Sequence, residues 1–209
     1  EAICGLRKVE KGSILLDGKN ITNESVKKIR KAGLSHIPED RNVRGLNRSM
    51  TIEENIVAAQ ISDAPFSNGI MLNNTKMLEY TNELIDKFDI RPRNPQTLTQ
   101  GMSGGNAQKI VVAREVSIGG KVLIASQPTR GVDIGAIESI RTILMDVKEK
   151  GLGVLLVSAD LEEIFSLSDR IIVMHEGEIT GNLQVDEADE EKVGLLMMGG
   201  KRRKEKCHE

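Results

Sequence analysis

Aromatic side chains are scarce: they make up 2% of the 209 residues, with no Trp, one Tyr and three Phe. Stacking platforms for single-stranded nucleic acid therefore have almost no material. An excess charge of either sign is also missing. Lys and Arg number 29 against 31 Asp and Glu, a formal net charge of −2, and the two signs are interspersed. A general nucleic-acid or membrane-surface binder needs a basic face, so nucleic acid is not an expected partner. Cysteine is rare too. Cys4 and Cys207 lie near opposite ends and form no ligand cluster, so free thiols in a reducing cytosol are expected and no protein-held metal. The longest apolar runs are strand-length, far below the roughly 20 residues of a membrane span. No secretory signal is expected.

What is present suffices for a core. Hydrophobic residues make up 39%, which fits one large domain or a core with an inserted subdomain. Glu1-Ala2-Ile3-Cys4-Gly5 reads as the tail of a helix stopped by Gly5, and the chain as a fragment of something longer. Ser13 to Leu16 is a strand turning at Asp17-Gly18, a dipeptide favoured in tight hairpins. A helix is expected from about Glu24 to Ala32, with Val26 and Ile29 inward and Gly33 as its stop. Leu34 to Ile37 is a short buried strand ended by Pro38, and Glu39 to Gly45 a charged loop open to a solvated-surface reading. Thr51 with Glu54 forms a capping box for a helix to about Gln60. Ser62 to Asn74 is irregular. Met77, Leu78, Thr81, Leu84, Ile85 and Phe88 line one helix face. The organisation read from this pattern is an α/β core, residues 1–50 and 101–200, with a helical subdomain at 51–100 and a basic tail at 201–209.

Farther on, Ile137, Ile140, Leu144 and Val147 mark another helix, closed by Gly151. Val154 to Val157 reads as a parallel strand covered on both faces. Asp160 with Glu163 opens a short helix. Ile171 to Met174 and Glu178 to Leu183 flank Glu176-Gly177 as a hairpin, and a last helix runs from about Asp186 to Met198.

The chain is organised around Met102-Ser103-Gly104-Gly105-Asn106-Ala107-Gln108-Lys109 and the later Val122-Leu123-Ile124-Ala125-Ser126-Gln127-Pro128-Thr129-Arg130-Gly131-Val132-Asp133. Ser103 can cap the helix that carries Ile110, Val111 and Ala113, and the two glycines have no Cβ to hold a ligand off the backbone. Free N–H groups and the positive end of the helix dipole then make a phosphate-sized anion site. On Ser-Gly-Gly alone, a capped surface helix explains as much. The following strand and Pro-Thr-Arg-Gly-x-Asp turn make the pattern specific.

This stretch resembles the signature helix, strand end and D-loop of ATP-binding cassette (ABC) ATPases. With Pro-Glu-Asp-Arg at 38–41, Ser-Gly-Gly-Asn and Ser-Gln-Pro-Thr-Arg-Gly, it is similar to the second, C-terminal nucleotide-binding half of the tandem subunits that drive simple-sugar and nucleoside importers. The resemblance implies a P-loop NTPase-like α/β fold with a mostly parallel sheet and an inserted helical subdomain. Its P-loop would precede the hairpin, in residues ahead of Glu1. Gly12 to Asn20 is a poor substitute, with the wrong glycine spacing and Asn20 where a magnesium-binding hydroxyl belongs.

In that family the central strand ends Asp-Glu-Pro-Thr, the Asp for the metal and the Glu as base. Here Ser126 and Gln127 occupy those slots. Gln127 can orient a water but cannot take its proton, and a general base contributes on the order of 10²–10⁴ in rate. Ala159 stands in place of the sensing His, and Glu39 in place of a magnesium-contacting Gln. The resemblance therefore implies an inactive isolated chain with no intact catalytic residue. Ser103, Gly104, Gly105, Asn106 and Asp133 would serve ATP in trans, bound with Mg²⁺ mainly by the partner half. Expected partners are the first nucleotide-binding half of the same subunit and membrane permease subunits, docked on the helical subdomain. The expected place is cytoplasmic, peripheral on the inner face of the plasma membrane. A silent regulatory or scaffold module with no nucleotide role is the alternative.

Overall fold

The computed structural model describes residues 1–200. The basic tail expected at 201–209, with Cys207 and His208, lies outside the described residues. Chain contacts separate a unit of Glu1–Val157 from a second that starts at Ser158.

The first unit is built on a three-stranded parallel sheet of order β3-β4-β5: β3 (Leu34–Ile37), β4 (Val122–Ser126) and β5 (Gly153–Val157). Leu34 lies opposite Val122 and Ile37 opposite Ala125, while Val122 lies opposite Gly153 and Ser126 opposite Val157. β4, in the middle, is apolar and buried over Leu123, Ile124 and Ala125. β5 departs from the expectation of a strand covered on both faces. Its residues alternate between exposed and half-buried, with Leu155 and Val157 at 41% and 48% exposure. Its one ladder in the described residues is to β4.

Ahead of β3, the hairpin β1 (Leu15–Leu16) and β2 (Lys19–Asn20) turns at Asp17-Gly18, both at positive φ as a tight hairpin turn requires. Residues 2–6 form a turn. Gly5 N–H donates to Ala2 O and Leu6 N–H to Glu1 O, both at 3.1 Å, with Gly5 at φ +74°, the bonding of a Schellman cap. Helix α1 (Val26–Lys31) is capped by Ser25 and stopped at Gly33, φ +107°. Ile29 is buried as expected, but Val26 is exposed, because a helix of six residues has room for one inward position.

Between β3 and β4 lie three α-helices. α2 (Ile52–Val57) starts with the expected reciprocal capping box of Thr51 and Glu54. α3 (Asn74–Lys87) buries Met77, Thr81, Leu84 and Ile85, while Leu78 falls off that face and is exposed. α4 (Gly104–Ser117) is buried nearly all round, with Ala107, Ile110, Val111, Val112 and Ala113 fully buried. A helix without a polar face must find partners for the polar groups it does carry. Gln108 Nε2 donates to Pro128 O at 2.8 Å, and Arg114 Nε to Glu115 Oε1 at 2.9 Å. Glu115 Oε2 also accepts from Arg30 Nη2 at 2.9 Å and from His36 N at 3.2 Å, fixing the far end of α4 to β3. α5 (Ile134–Glu149) then buries Ala136, Ile140, Leu144 and Val147, with Ile137 at the margin.

In the second unit, α6 (Leu161–Leu167) precedes the antiparallel pair β6 (Arg170–His175) and β7 (Glu178–Gln184), and α7 (Glu190–Met197) follows. Ile171, Val173 and Val193 form its core. Glu176-Gly177 makes the expected turn, both residues at positive φ. No helix among the described residues is long and apolar enough to cross a membrane.

Candidate functional site

α4 begins as its sequence predicts. Ser103 is extended, at φ −60° and ψ 157°, and its Oγ accepts from Asn106 N at 3.4 Å and Asn106 Nδ2 at 3.1 Å. That leaves the exposed hydroxyl proton free to point outward. The amides of Gly104 and Gly105 precede the first intrahelical bond and have no acceptor within the helix. Asn106 Oδ1 accepts from Arg91 N at 2.7 Å, which ties the helix start to the chain leaving α3. Lys109 reaches the same segment, donating to Asp89 O at 3.1 Å. Asp89 is held below the usual carboxylate range by its hydrogen bond from Arg93, with Arg91 adding to the effect.

The two glycines are packed against the chain itself. A Cβ on Gly104 would lie 2.7 Å from Gly131 O and 2.9 Å from Arg41 Nη2. One on Gly105 would lie 2.6 Å from Asp133 Oδ2 and 2.8 Å from Ala136 Cβ. The absence of a side chain at both positions is thus required by the turn that follows β4, whatever a ligand adds. Asp133 is the N-cap of α5, its Oδ1 accepting from Ala136 N at 2.9 Å. Ser103, Gly104, Gly105, Asn106 and Asp133 are therefore brought together, as one surface formed by two helix starts.

The end of β4 carries different chemistry. Ser126 is half-buried and uncharged. Gln127 has left-handed backbone, φ +47°, held by its N–H donating to Val157 O at 2.7 Å and its C=O accepting from Arg130 N at 3.1 Å. Glu39 forms an ion pair with Arg130, so the carboxylate in the magnesium-contacting slot already has a cation. Two neutral groups and one paired carboxylate are a poor donor set for Mg²⁺, which prefers an octahedral shell including carboxylate oxygen. Ala159 is exposed in the second unit, one residue before Asp160, the cap of α6.

The 39–45 loop is more than solvated surface. Asp40 caps a π-helical turn over Arg41–Gly45, its Oδ1 accepting from Asn42 N and Val43 N. Arg41 donates from Nη1 to Arg130 O at 2.7 Å and from Nη2 to Gly131 O at 2.9 Å. Desolvation lowers its pKa, and neighbouring Arg48 adds to that. The sequence pattern flagged Pro-Glu-Asp-Arg but gave no sign that its Arg spans to a turn about ninety positions away. Nor did it single out Glu115, a buried carboxylate that no spacing motif announces.

Comparison with known proteins fits this geometry. A family model described as ABC transporter matches residues 1–130. The nucleoside import ATP-binding protein NupA of Lactococcus lactis subsp. cremoris is 41% identical over 200 residues, covering 96% of this chain and 40% of that protein. The guanosine import ATP-binding protein NupO of Bacillus subtilis is 42% identical, covering 95% of this chain and 39% of its own length. The ribose import ATP-binding protein RbsA of Bacillus subtilis is 38% identical over 96% of this chain and 40% of its own. The chain thus spans about two fifths of the length of the curated relatives it matches. Among solved structures, a dimeric post-hydrolysis state of the ATP-binding cassette MJ0796 with ADP and Pi superposes with a TM-score of 0.73 at 23% identity, over 87% of this chain and 76% of that one. The ADP conformation of the cassette MJ1267 gives 0.70 at 19% identity, over 100% and 81%. Its fold is the α/β fold of ABC ATPases, and with the family model covering most of its length the chain belongs to the ABC transporter family.

Proposed function

We propose that this chain is the second nucleotide-binding half of an ATP-binding subunit of an importer for simple sugars or nucleosides. In this reading Ser103, Gly104 and Gly105 donate hydrogen bonds to the terminal phosphate of an ATP held, with its Mg²⁺, by the first half. The chain's own side chains break no bond, and the P-loop of the fold would be carried ahead of Glu1. The helical stretch 51–100 docks on membrane permease subunits, which places the subunit on the inner face of the plasma membrane.

The carrying observation is the contrast between a capped α4 start with two unbonded amides and a β4 end reduced to Ser126 and Gln127. Donation needs only preorganised N–H groups near the developing charge. Hydrolysis in cis needs a base and a metal ligand, and those slots lack both. The similarity to the import ATP-binding proteins NupA, NupO and RbsA, named for nucleosides, guanosine and ribose, supports the substrate class.

One observation favours the scaffold reading instead. The glycines are accounted for by contacts to Gly131 and Asp133 of the same chain, so they would be needed without any nucleotide. Ser103 separates the two readings, since its side chain is exposed and Ser103→Arg fills the space before the amides without touching the core. Mixing this chain with the first nucleotide-binding half (the P-loop half) raises ATP turnover in the favoured reading, and Ser103→Arg abolishes the gain. Equal turnover with and without Ser103→Arg leaves the scaffold.

A further inference from the structure

We infer that Arg41 is a positioning residue for the donor surface: its guanidinium sets the 130–133 turn on the first turn of α4 and so aims the Gly104 and Gly105 amides. The inference rests on the proposed donation in trans for its consequence, and on the contacts alone for its geometry.

Arg41 stands at the first position of the π-helical turn, whose entry is fixed by Asp40. From there the fork reaches two successive carbonyls, Arg130 O at 2.7 Å and Gly131 O at 2.9 Å. Both carbonyls belong to an irregular turn between β4 and α5, outside any helix or strand. Gly131 itself has left-handed backbone, φ +64°, so its carbonyl direction is set by the turn and by whatever holds it. That same oxygen and the same Arg41 Nη2 are the two atoms nearest the missing Cβ of Gly104. Two residues on, Asp133 stands over Gly105 while capping α5. One side chain therefore joins the loop after β3, the turn after β4 and the start of α4.

Glu39 and Arg130 make a second tie between the same two segments. It is exposed at both ends, Glu39 at 58% and Arg130 at 65%, so salt screens it. The Arg41 fork is the more rigid of the two, because a planar guanidinium fixes direction as well as distance. Lys could reach one carbonyl but could not span both in one plane. The tie needs no nucleotide, so the donor surface is held ready before ATP arrives.

The test uses the full chain with Arg41→Ala, Arg41→Lys and Glu39→Gln, followed by hydrogen exchange and mass spectrometry. Arg41→Ala should speed exchange about tenfold in peptides 98–110 and 126–137, as expected when a local tie is lost, and leave peptides over β3 and the centre of β4 unchanged. Arg41→Lys should lie close to Arg41→Ala, and Glu39→Gln close to wild type. With the P-loop half added, Arg41→Ala should lower kcat with KM for ATP nearly unchanged, the pattern of a loss felt in the transition state. Unchanged exchange in the two peptides overturns the inference, as does a uniform rise across the sheet or an Arg41→Lys chain equal to wild type. If wild-type chain and P-loop half show no joint turnover, the functional reading falls, while exchange still decides the role of Arg41.

Discussion

The start of α4 and the end of β4 are neighbours, joined through Gln108 and Pro128, yet they use opposite means. At the α4 start the groups on offer are backbone, the amides of two glycines, and the side chains of Ser103, Asn106, Asp133 and Arg41 serve to pack and cap them. At the β4 end function would have to come from side-chain charge, and the side chains are Ser126 and Gln127. A surface made of backbone depends on how its neighbours pack. A site made of carboxylates is lost by two substitutions that leave the fold alone. In the proposed reading, this is how one domain keeps a donor surface without chemistry of its own.

The harshest way to break that contrast is to remove the scaffold both regions share. Glu115 is 2% exposed and receives Arg30, Arg114 and the His36 amide. Glu115→Ala would leave buried guanidinium unpaired, a change that typically costs about 3–5 kcal/mol. Urea denaturation of the full chain should show a loss of that size. A loss within the range of an ordinary surface substitution, about 0.5 kcal/mol, would mean α4 is held by packing alone.

Next comes the α4 start. Gly105→Val places side-chain atoms where Asp133 Oδ2 and Ala136 Cβ already stand. Overpacking of this kind costs about 1–3 kcal/mol. The unfolding midpoint should fall accordingly, and the gain in ATP turnover with the P-loop half should vanish even at temperatures where the variant is folded. Retained turnover would separate the donor surface from the turn that packs on it.

Much of this was legible in the chain, and the exceptions share a cause. Short-range rules worked: Thr51 and Glu54 close a capping box, Asp17-Gly18 turns a hairpin, and Ser103 caps α4. Periodicity placed Leu84, Ile85, Ile140 and Leu144 inward. Val26 and Leu78 were misplaced because apolar character fixes what a residue prefers, while burial is decided by what tertiary neighbour is available. β5 is the expected parallel strand but is not covered on both faces for the same reason, since Val154 to Val157 is apolar enough for a central strand but lies at the sheet edge among the described residues. At the site, the motif named Ser103, Gly104, Gly105, Asn106 and Asp133, which the fold brings together. It did not reveal that the glycines face Gly131 and Asp133, nor that Arg41 reaches over, because contacts between distant segments leave no spacing in the sequence.

A smaller effect sharpens the β4 side. Gln127 has left-handed backbone directly before Pro128, which costs a non-glycine residue roughly 1–2 kcal/mol. Gln127→Gly should relieve part of that, offset by the greater freedom of glycine in the unfolded chain, for a net gain of about 0.5 kcal/mol. Joint turnover with the P-loop half should not change, since Gln127 takes no proton. A clear drop in turnover would assign its side chain a water-orienting role. Gln127→Glu, by restoring one carboxylate beside a neutral Ser126 and a paired Glu39, should leave the isolated chain without turnover.

The gentlest probe is pH, and it acts on the sheet side of α4. His36 sits on β3, its amide bonded to Glu115. Burial pulls its pKa below the ordinary value of 6.5; Glu115 opposes the shift, and Arg30 and Arg44 add to it. A depressed histidine pKa means the unfolded chain takes up a proton that the folded chain refuses. The stability linked to this group is therefore complete above about pH 6.5 and is lost as pH falls from there towards the folded-state value. The urea midpoint of the wild-type chain should drop between pH 7.5 and pH 5.5, and His36→Gln should flatten that drop. The exposed carboxylates whose pKa values are lowered by ion pairs, Asp17 by Lys121 and Asp89 by Arg93, titrate below this window and do not contribute to it. A His36→Gln chain with the same pH slope as wild type would show that imidazole burial is not coupled to folding. The anchoring of α4 to β3 would then rest on Glu115, its arginines and the backbone amide of residue 36, with no part for the imidazole.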